Sequence, residues 1–234
     1  MSFAAYLTGT DTDAGKTLVA GALLHLARRS GCSTAGVKPV ASGCERDATG
    51  TLRNRDALCL QQETQPALAY AQINPIALEP AIAPHIAAHE CGVDLNVATL
   101  ARGCNAVLEL GRDFTLVEGA GGWRVPLNTH ETLADLAKAL RLPVILVVGM
   151  RLGCINHAVL SAEAIRADGL ELVGWVANQA VPEMARFNEN LATLTALMPA
   201  PLLGSIPHLQ RPNSESAAHY LDLGLLPLKT ATTS

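Results

Sequence analysis

The sequence predicts an α/β fold over residues 1–234 as a single domain: a doubly wound, mainly parallel sheet with helices on both faces. Short apolar, β-branched runs alternate with stretches of helical periodicity along the whole chain. The composition is 49% hydrophobic with only three Phe, three Tyr and two Trp, so the core must be built from Ala, Val, Leu and Ile, as in strands buried on both faces. The links are short and glycine-rich, no repeat or low-complexity linker divides the chain, and α/β folds often use this length in one unit.

Residues 4–8 read as a buried strand and 16–29 as an amphipathic helix packing through Leu18, Leu23, Leu24 and Leu26, with Gly31 suited to its C-terminal cap. A strand at 34–37 completes a β-α-β unit of about 30 residues. Residues 57–62 look helical with Asp56 suited to the N-cap, whereas 65–84 is interrupted by proline and favours no single element. A helix at 95–110 precedes a strand at 114–117 that opens into Gly119-Ala120-Gly121-Gly122. There follow a helix at 132–140, a strand at 144–148, a helix at 156–166, a strand at 173–177, a helix at 184–197 and a strand at 202–206. In such a sheet the ligand lies at the carboxyl ends of the strands.

The bulk numbers favour small-molecule partners. The formal charge is -4 and the Lys and Arg residues are scattered, which provides no footprint for nucleic acid or anionic lipid. The N-terminus reaches Thr8, Thr10 and Asp11 too soon for a signal peptide, and the longest apolar run, 142–150, is far short of the ~20 residues that span a bilayer. A soluble, cytoplasmic protein is expected, without membrane partners. Six cysteines without a C-x-x-C pair read as separate reduced thiols.

Between the first strand and the first helix, Gly9-Thr10-Asp11-Thr12-Asp13-Ala14-Gly15-Lys16-Thr17 is read as the phosphate-loop pattern G-x-x-x-x-G-K-[ST]. Backbone N–H groups would surround phosphate oxygens at the helix N-terminus, Lys16 would supply a cation and Thr17 an oxygen ligand for Mg²⁺. The metal needs carboxylates as well, and two are placed to help: Glu118, ending a strand, and Asp56. Lys38, ending the strand at 34–37, is either a cation aimed at the phosphates or a surface lysine beside Pro39. Gly153-Cys154-Ile155-Asn156 opens a helix that could hold a carboxylate or be an ordinary turn; Asn178 could read a base edge or cap a turn. His85 and His89 have helical spacing but no third ligand in sequence, so zinc is not expected. Asp11 and Asp13 would repel ATP unless a metal or a substrate ammonium intervenes, which makes an amine-bearing substrate attractive.

Taken together, the segments 8–17, 36–43, 117–122 and 152–158 resemble the dethiobiotin synthetase family, with further likeness at 54–58, 74–75, 84–86, 174–178 and 201–207. The resemblance implies a P-loop NTPase-like fold and a homodimer that converts 7,8-diaminononanoate, CO₂ and ATP to dethiobiotin, ADP and phosphate through a carbamate and a carbamic-phosphoric anhydride. It assigns Thr17, Asp56 and Glu118 to Mg²⁺, Lys16, Lys38 and Thr12 to catalysis, and Ser42 to substrate. It implies nucleotide contacts from Asp13, Ala14, Gly15, Lys16, Thr17 and Leu18, from Gly119, Ala120 and Gly121, from Asn178 and Gln179, from Pro207, His208 and Leu209, and from Glu215. The substrate carboxylate is expected at Gly153, Cys154, Ile155 and Asn156 of the opposite subunit, and Asp13 stands where some relatives carry Glu.

Two rivals share the phosphate loop. An amide-forming corrinoid ligase usually adds a glutaminase domain, for which about 230 residues leave no room. A partitioning or site-selection ATPase places a lysine early in the loop, where this chain has Asp11.

Overall fold

The computed structural model describes residues 2–228; Met1 and 229–234 lie outside the described residues. Six strands form one parallel sheet: β1 (Phe3–Gly9), β2 (Thr34–Val37), β3 (Phe114–Glu118), β4 (Val144–Gly149), β5 (Leu172–Asn178) and β6 (Leu202–Ile206). Their order is β6-β5-β4-β1-β3-β2. The chain leaves the central β1 for the edge strand β2, fills the gap with β3, then steps outward on the other side through β4, β5 and β6. This is the doubly wound topology expected from the sequence, and it makes the switch point the end of β1.

Buried side chains alternate between the two faces along each central strand. Tyr6 and Val144, Leu146 and Val148 join one apolar cluster with the helices Val97–Leu108, Leu133–Leu140, Cys154–Ala167 and Phe187–Leu197. Ala5, Leu7, Ile145 and Val147 join the other with Lys16–Arg29, Arg55–Gln62 and the short helix Ser214–Ala218. Both faces of the sheet are thus covered by aliphatic side chains, which is why these strands read as unbroken apolar runs.

Local chemistry sets the element ends. Helix Lys16–Arg29 stops at its expected residue: Gly31 has φ +86°, its N–H bonds to Arg28 O, and the Cys32 N–H reaches back to Ala27 O. The cap of Arg55–Gln62 is not Asp56, as the sequence suggested, but Asn54, whose side chain accepts from the N–H groups of Asp56 and Ala57. Asn96 starts its helix the same way at Val97, two residues inside the expected start. Arg186, at φ +57°, delays the next-to-last helix to Phe187. The unassigned stretch 65–84 holds a single turn, Tyr70–Ile73, and a two-residue strand, Ile76–Ala77, which pairs in parallel with Val40–Ala41. Helix Pro84–Glu90, which carries His85 and His89, follows with Pro84 at its first turn. Among the described residues no helix is long and apolar enough to cross a membrane.

Candidate active site

The phosphate loop hangs from the end of β1 and is pinned from two sides. The Thr10 N–H bonds to Val147 O at 2.9 Å, and the Thr10 hydroxyl accepts from the Gly149 N–H at 3.2 Å. Thr10 occupies the first glycine position of the phosphate-loop pattern, because Gly9 lies one residue too early for it. Gly15 has φ +91° and a Cβ there would collide with Asn178 Nδ2, so both conformation and space require glycine. Asn178 itself, buried at the end of β5, donates to Ala14 O at 2.9 Å. In this structure it braces the loop from behind, a role the sequence did not suggest.

At the loop's end Lys16 is buried and donates to Asp11 O at 3.0 Å; burial, with the neighbouring Lys38 ammonium, lowers it to about 8. Thr17 donates its hydroxyl to Glu118 Oε1 at 2.8 Å. Glu118, fully buried, also accepts from Lys38 Nζ at 2.6 Å on Oε1, while its Oε2 has no hydrogen-bond partner among the described residues. Lys38 Nζ further donates to Gly119 O at 3.2 Å and lies 3.1 Å from Asp56 Oδ2. Burial alone would depress Lys38, but the carboxylates of Glu118 and Asp56 outweigh it and hold the ammonium above its ordinary value. Burial works against the Asp56 carboxylate too, yet Lys38 and the Thr17 hydroxyl keep it below the usual range.

The stretch that sequence could not assign positions Lys38. The Lys38 N–H bonds to Ile73 O at 2.7 Å and its carbonyl accepts from Asn74 Nδ2 at 2.7 Å. Asn54 Nδ2 donates to Ser42 O at 3.3 Å, tying the two loops together. The glycine loop is set by packing: a Cβ on Gly119 would fall 2.6 Å from the buried Tyr6 hydroxyl.

These residues face one cleft of about 650 Å³. It gathers Thr12, Asp13, Gly15, Lys16, Thr17, Leu18, Lys38, Ser42, Asp56, Ala120 and Gly121 from the sequence-predicted set. Glu118 lies beneath it through its bonds to Thr17 and Lys38. Asn54, Ile82, Pro84 and Val125 also line it, and sequence reasoning did not place them in the site. Asn54 and Pro84 lie in segments that share the family resemblance but carried no site role there, and the signal for Val125 was its place after the glycine loop.

Other expected residues are not brought into this cleft. Gly153, Ile155 and Asn156 line a separate surface depression of about 560 Å³ beside the exposed Leu152, with Cys154 buried at the helix start. Gln179 follows β5, donating its N–H to Ile206 O, and Pro207, His208 and Leu209 follow β6. Glu215 is exposed on Ser214–Ala218.

The donor set suits a hard divalent ion. It is all oxygen, from one hydroxyl and two carboxylates, and the unpartnered Glu118 Oε2 is a buried acceptor still to be satisfied. Among the described residues no cluster of three or more His, Cys, Asp or Glu side chains could enclose a metal, so an ion here would have to share its coordination with phosphate and water.

A family model described as an AAA domain matches residues 4–216. An ATP-dependent dethiobiotin synthetase from Pseudomonas paraeruginosa is 61% identical over 93% of this chain and 95% of its own length, and one from Cellvibrio japonicus is 59% identical over the same shares. The chain belongs to the ATP-dependent dethiobiotin synthetase family. Solved structures that share the dethiobiotin synthetase fold are more distant. The septum site-determining protein MinD from Pyrococcus horikoshii, complexed with Mg-ADP, has a TM-score of 0.55 at 15% identity, over 89% of this chain and 82% of that one. The signal recognition particle receptor FtsY from Elizabethkingia anophelis, in complex with GDP, also has a TM-score of 0.55, at 12% identity; this chain spans 62% of its length. Both likenesses concern the fold alone, which is the P-loop NTPase-like one expected from the sequence.

Proposed function

We propose that this chain, as one domain, uses Mg·ATP to close a cyclic urea on 7,8-diaminononanoate with CO₂, giving dethiobiotin, ADP and phosphate. The observation that supports it best is the meeting of Lys16, Thr17, Lys38, Asp56 and Glu118 in one cleft, two buried cations facing two carboxylates and a hydroxyl. One amine adds to CO₂ and loses a proton, forming a carbamate. A carbamate oxygen then attacks the γ-phosphorus, breaking its bond to ADP. The second amine attacks the carbonyl carbon of the mixed anhydride and loses a proton, and the carbon–oxygen bond to phosphate breaks as the ring closes.

The reaction asks for charge neutralisation and positioning more than covalent chemistry from the protein. In this reading Lys16 serves the β/γ-phosphates and Lys38 the carbamate and transferred phosphoryl oxygens, a division supported by their lining one cleft with Thr12 and Ser42. Mg²⁺ held by Thr17, Asp56 and Glu118 would neutralise charge on the phosphates and orient them. The first-turn N–H groups of Lys16–Arg29 lack helical partners and suit phosphate oxygens, with Asp13, Ala14, Gly15 and Leu18 around them. Ala120 and Gly121 border the same space, and Gly119 joins it through its carbonyl, which accepts from Lys38. Asn178, Gln179, Pro207, His208, Leu209 and Glu215 belong to the adenine side in this reading.

The separate depression at Gly153, Cys154, Ile155 and Asn156 fits a homodimer in which each subunit lends this helix start to the carboxylate in its partner's cleft. Its exposed Leu152 and Leu160 are apolar surface that such a dimer would cover. A cytoplasmic enzyme with small-molecule substrates accords with the chain's chemistry. Incubation with the diamine, bicarbonate and Mg·ATP should release ADP only when the diamine is present; diamine-independent turnover would favour a switch ATPase instead.

A further inference from the structure

Asp11 is the hub of the phosphate loop. Its carbonyl holds the Lys16 ammonium at 3.0 Å, and its carboxylate accepts from the Thr12 N–H at 2.7 Å and pairs with the Arg151 guanidinium. Arg151 lies in the link between β4 and helix Cys154–Ala167, and its own carbonyl accepts from the Cys154 N–H at 2.9 Å. The contact does not stand alone: Gly149 N–H donates to Thr10, and a Cβ on Gly149 would stand 3.1 Å from Ala14 Cα, so the end of β4, from which this link leaves, is packed directly on the phosphate loop. A carboxylate five residues before Lys16 would repel a triphosphate unless a cation balances it. Arg151 supplies that cation from outside the loop.

We infer that Arg151 is a positioning residue for nucleotide binding. It cancels the Asp11 charge, keeps that carboxylate turned onto the Thr12 N–H, and ties the shape of the phosphate loop to the link that begins Cys154–Ala167. The inference rests on the nucleotide reading of the cleft. The hydrogen bonds and ion pairs of Lys38 and Glu118 join them to Thr17, Asp56 and Gly119, whereas the Arg151 side chain pairs with Asp11, so its role is exerted through that carboxylate.

Both side chains are about half exposed, so their substitution should leave the fold intact. Mg·ATP affinity, KM for ATP, kcat and the thermal midpoint are measured for Arg151→Gln, Arg151→Lys, Asp11→Asn and the double variant Asp11→Asn/Arg151→Gln. Arg151→Gln is expected to weaken Mg·ATP binding and raise KM for ATP about fivefold, with kcat nearly kept, as befits one partly screened charge. Arg151→Lys should recover most of the loss, and the double variant should bind like Asp11→Asn alone, because no carboxylate remains to be balanced. Unchanged affinity in Arg151→Gln, an equal loss when Arg151→Gln is made on the Asp11→Asn background, or a lowered thermal midpoint with normal affinity would each overturn the inference. Failure of the unaltered protein to bind Mg·ATP would be a different result, striking the nucleotide reading and this inference with it.

Discussion

Lys38 and Glu118 close on each other across adjacent strands: β2 and β3 run in register through Val37 and Val117, and the next residue of each meets its neighbour at 2.6 Å. Both are nearly inaccessible to water. A buried pair of this kind is costly to half-remove, because the survivor is left charged and unpaired. Lys38→Ala is therefore expected to lower turnover by about two orders of magnitude while sparing much of the nucleotide binding, and to lower stability by about 3 kcal/mol. Steady-state kinetics, ATP titration and denaturant unfolding check the three parts; a variant at the normal rate would remove Lys38 from the mechanism.

Glu118→Gln retains the shape of the side chain and removes its charge. The variant should need more Mg²⁺ for half-maximal activity, since the buried oxygen offered to the ion becomes a weaker ligand. A magnesium titration of ADP release is the measurement, and superimposable curves would assign the metal to other residues.

Tyr6 and Gly119 form a size constraint behind the glycine loop. The Tyr6 hydroxyl is buried without a hydrogen-bond partner among the described residues, so Tyr6→Phe should be neutral or stabilising by up to about 1 kcal/mol. Gly119→Ala should be destabilising, because its methyl would meet that hydroxyl at 2.6 Å. Thermal unfolding of both variants and of the double variant Tyr6→Phe/Gly119→Ala should reveal partial rescue, since removing the hydroxyl makes room for the added methyl; strictly additive effects would contradict it.

Acid should loosen helix Leu133–Leu140 at its start. Slight burial opposes the Asp135 charge, but the Thr132 N–H and hydroxyl and the Lys138 ammonium together hold its carboxyl below the usual range. A lowered folded value means that this stabilisation is complete above the unfolded value near 3.8 and is lost as pH falls through the folded one. Asp135→Asn should thus lower the thermal midpoint at neutral pH, and the gap to the unaltered protein should narrow as the pH drops below about 4. A gap that stays constant with pH would refute the linkage.

Much of this protein was legible one residue at a time. The six sheet strands and the helix Lys16–Arg29 were readable because burial on both faces leaves a continuous apolar signal and Gly31 marks a backbone position few other residues tolerate. The phosphate loop and Glu118 could be picked out because each lies at the end of a strand, where the topology collects ligand-binding groups, whereas Lys38 stayed open between that site and the surface until its burial ruled out the surface. Asp56 was noticed but given the wrong local task, since Asn and Asp compete for caps on nearly equal terms and only the folded turn chose Asn54.

What the linear order determined, then, was an α/β chain with a nucleotide-type loop and charged residues at strand ends, since periodicity and local backbone preference are properties of neighbouring residues. The tertiary structure alone decided which charges meet: that Lys38 is clamped by Ile73 and Asn74, that Asn178 braces Ala14, and that Arg151 answers Asp11. Those contacts join residues far apart in sequence, and their strength depends on burial and distance, which exist only once the sheet has brought the loops together.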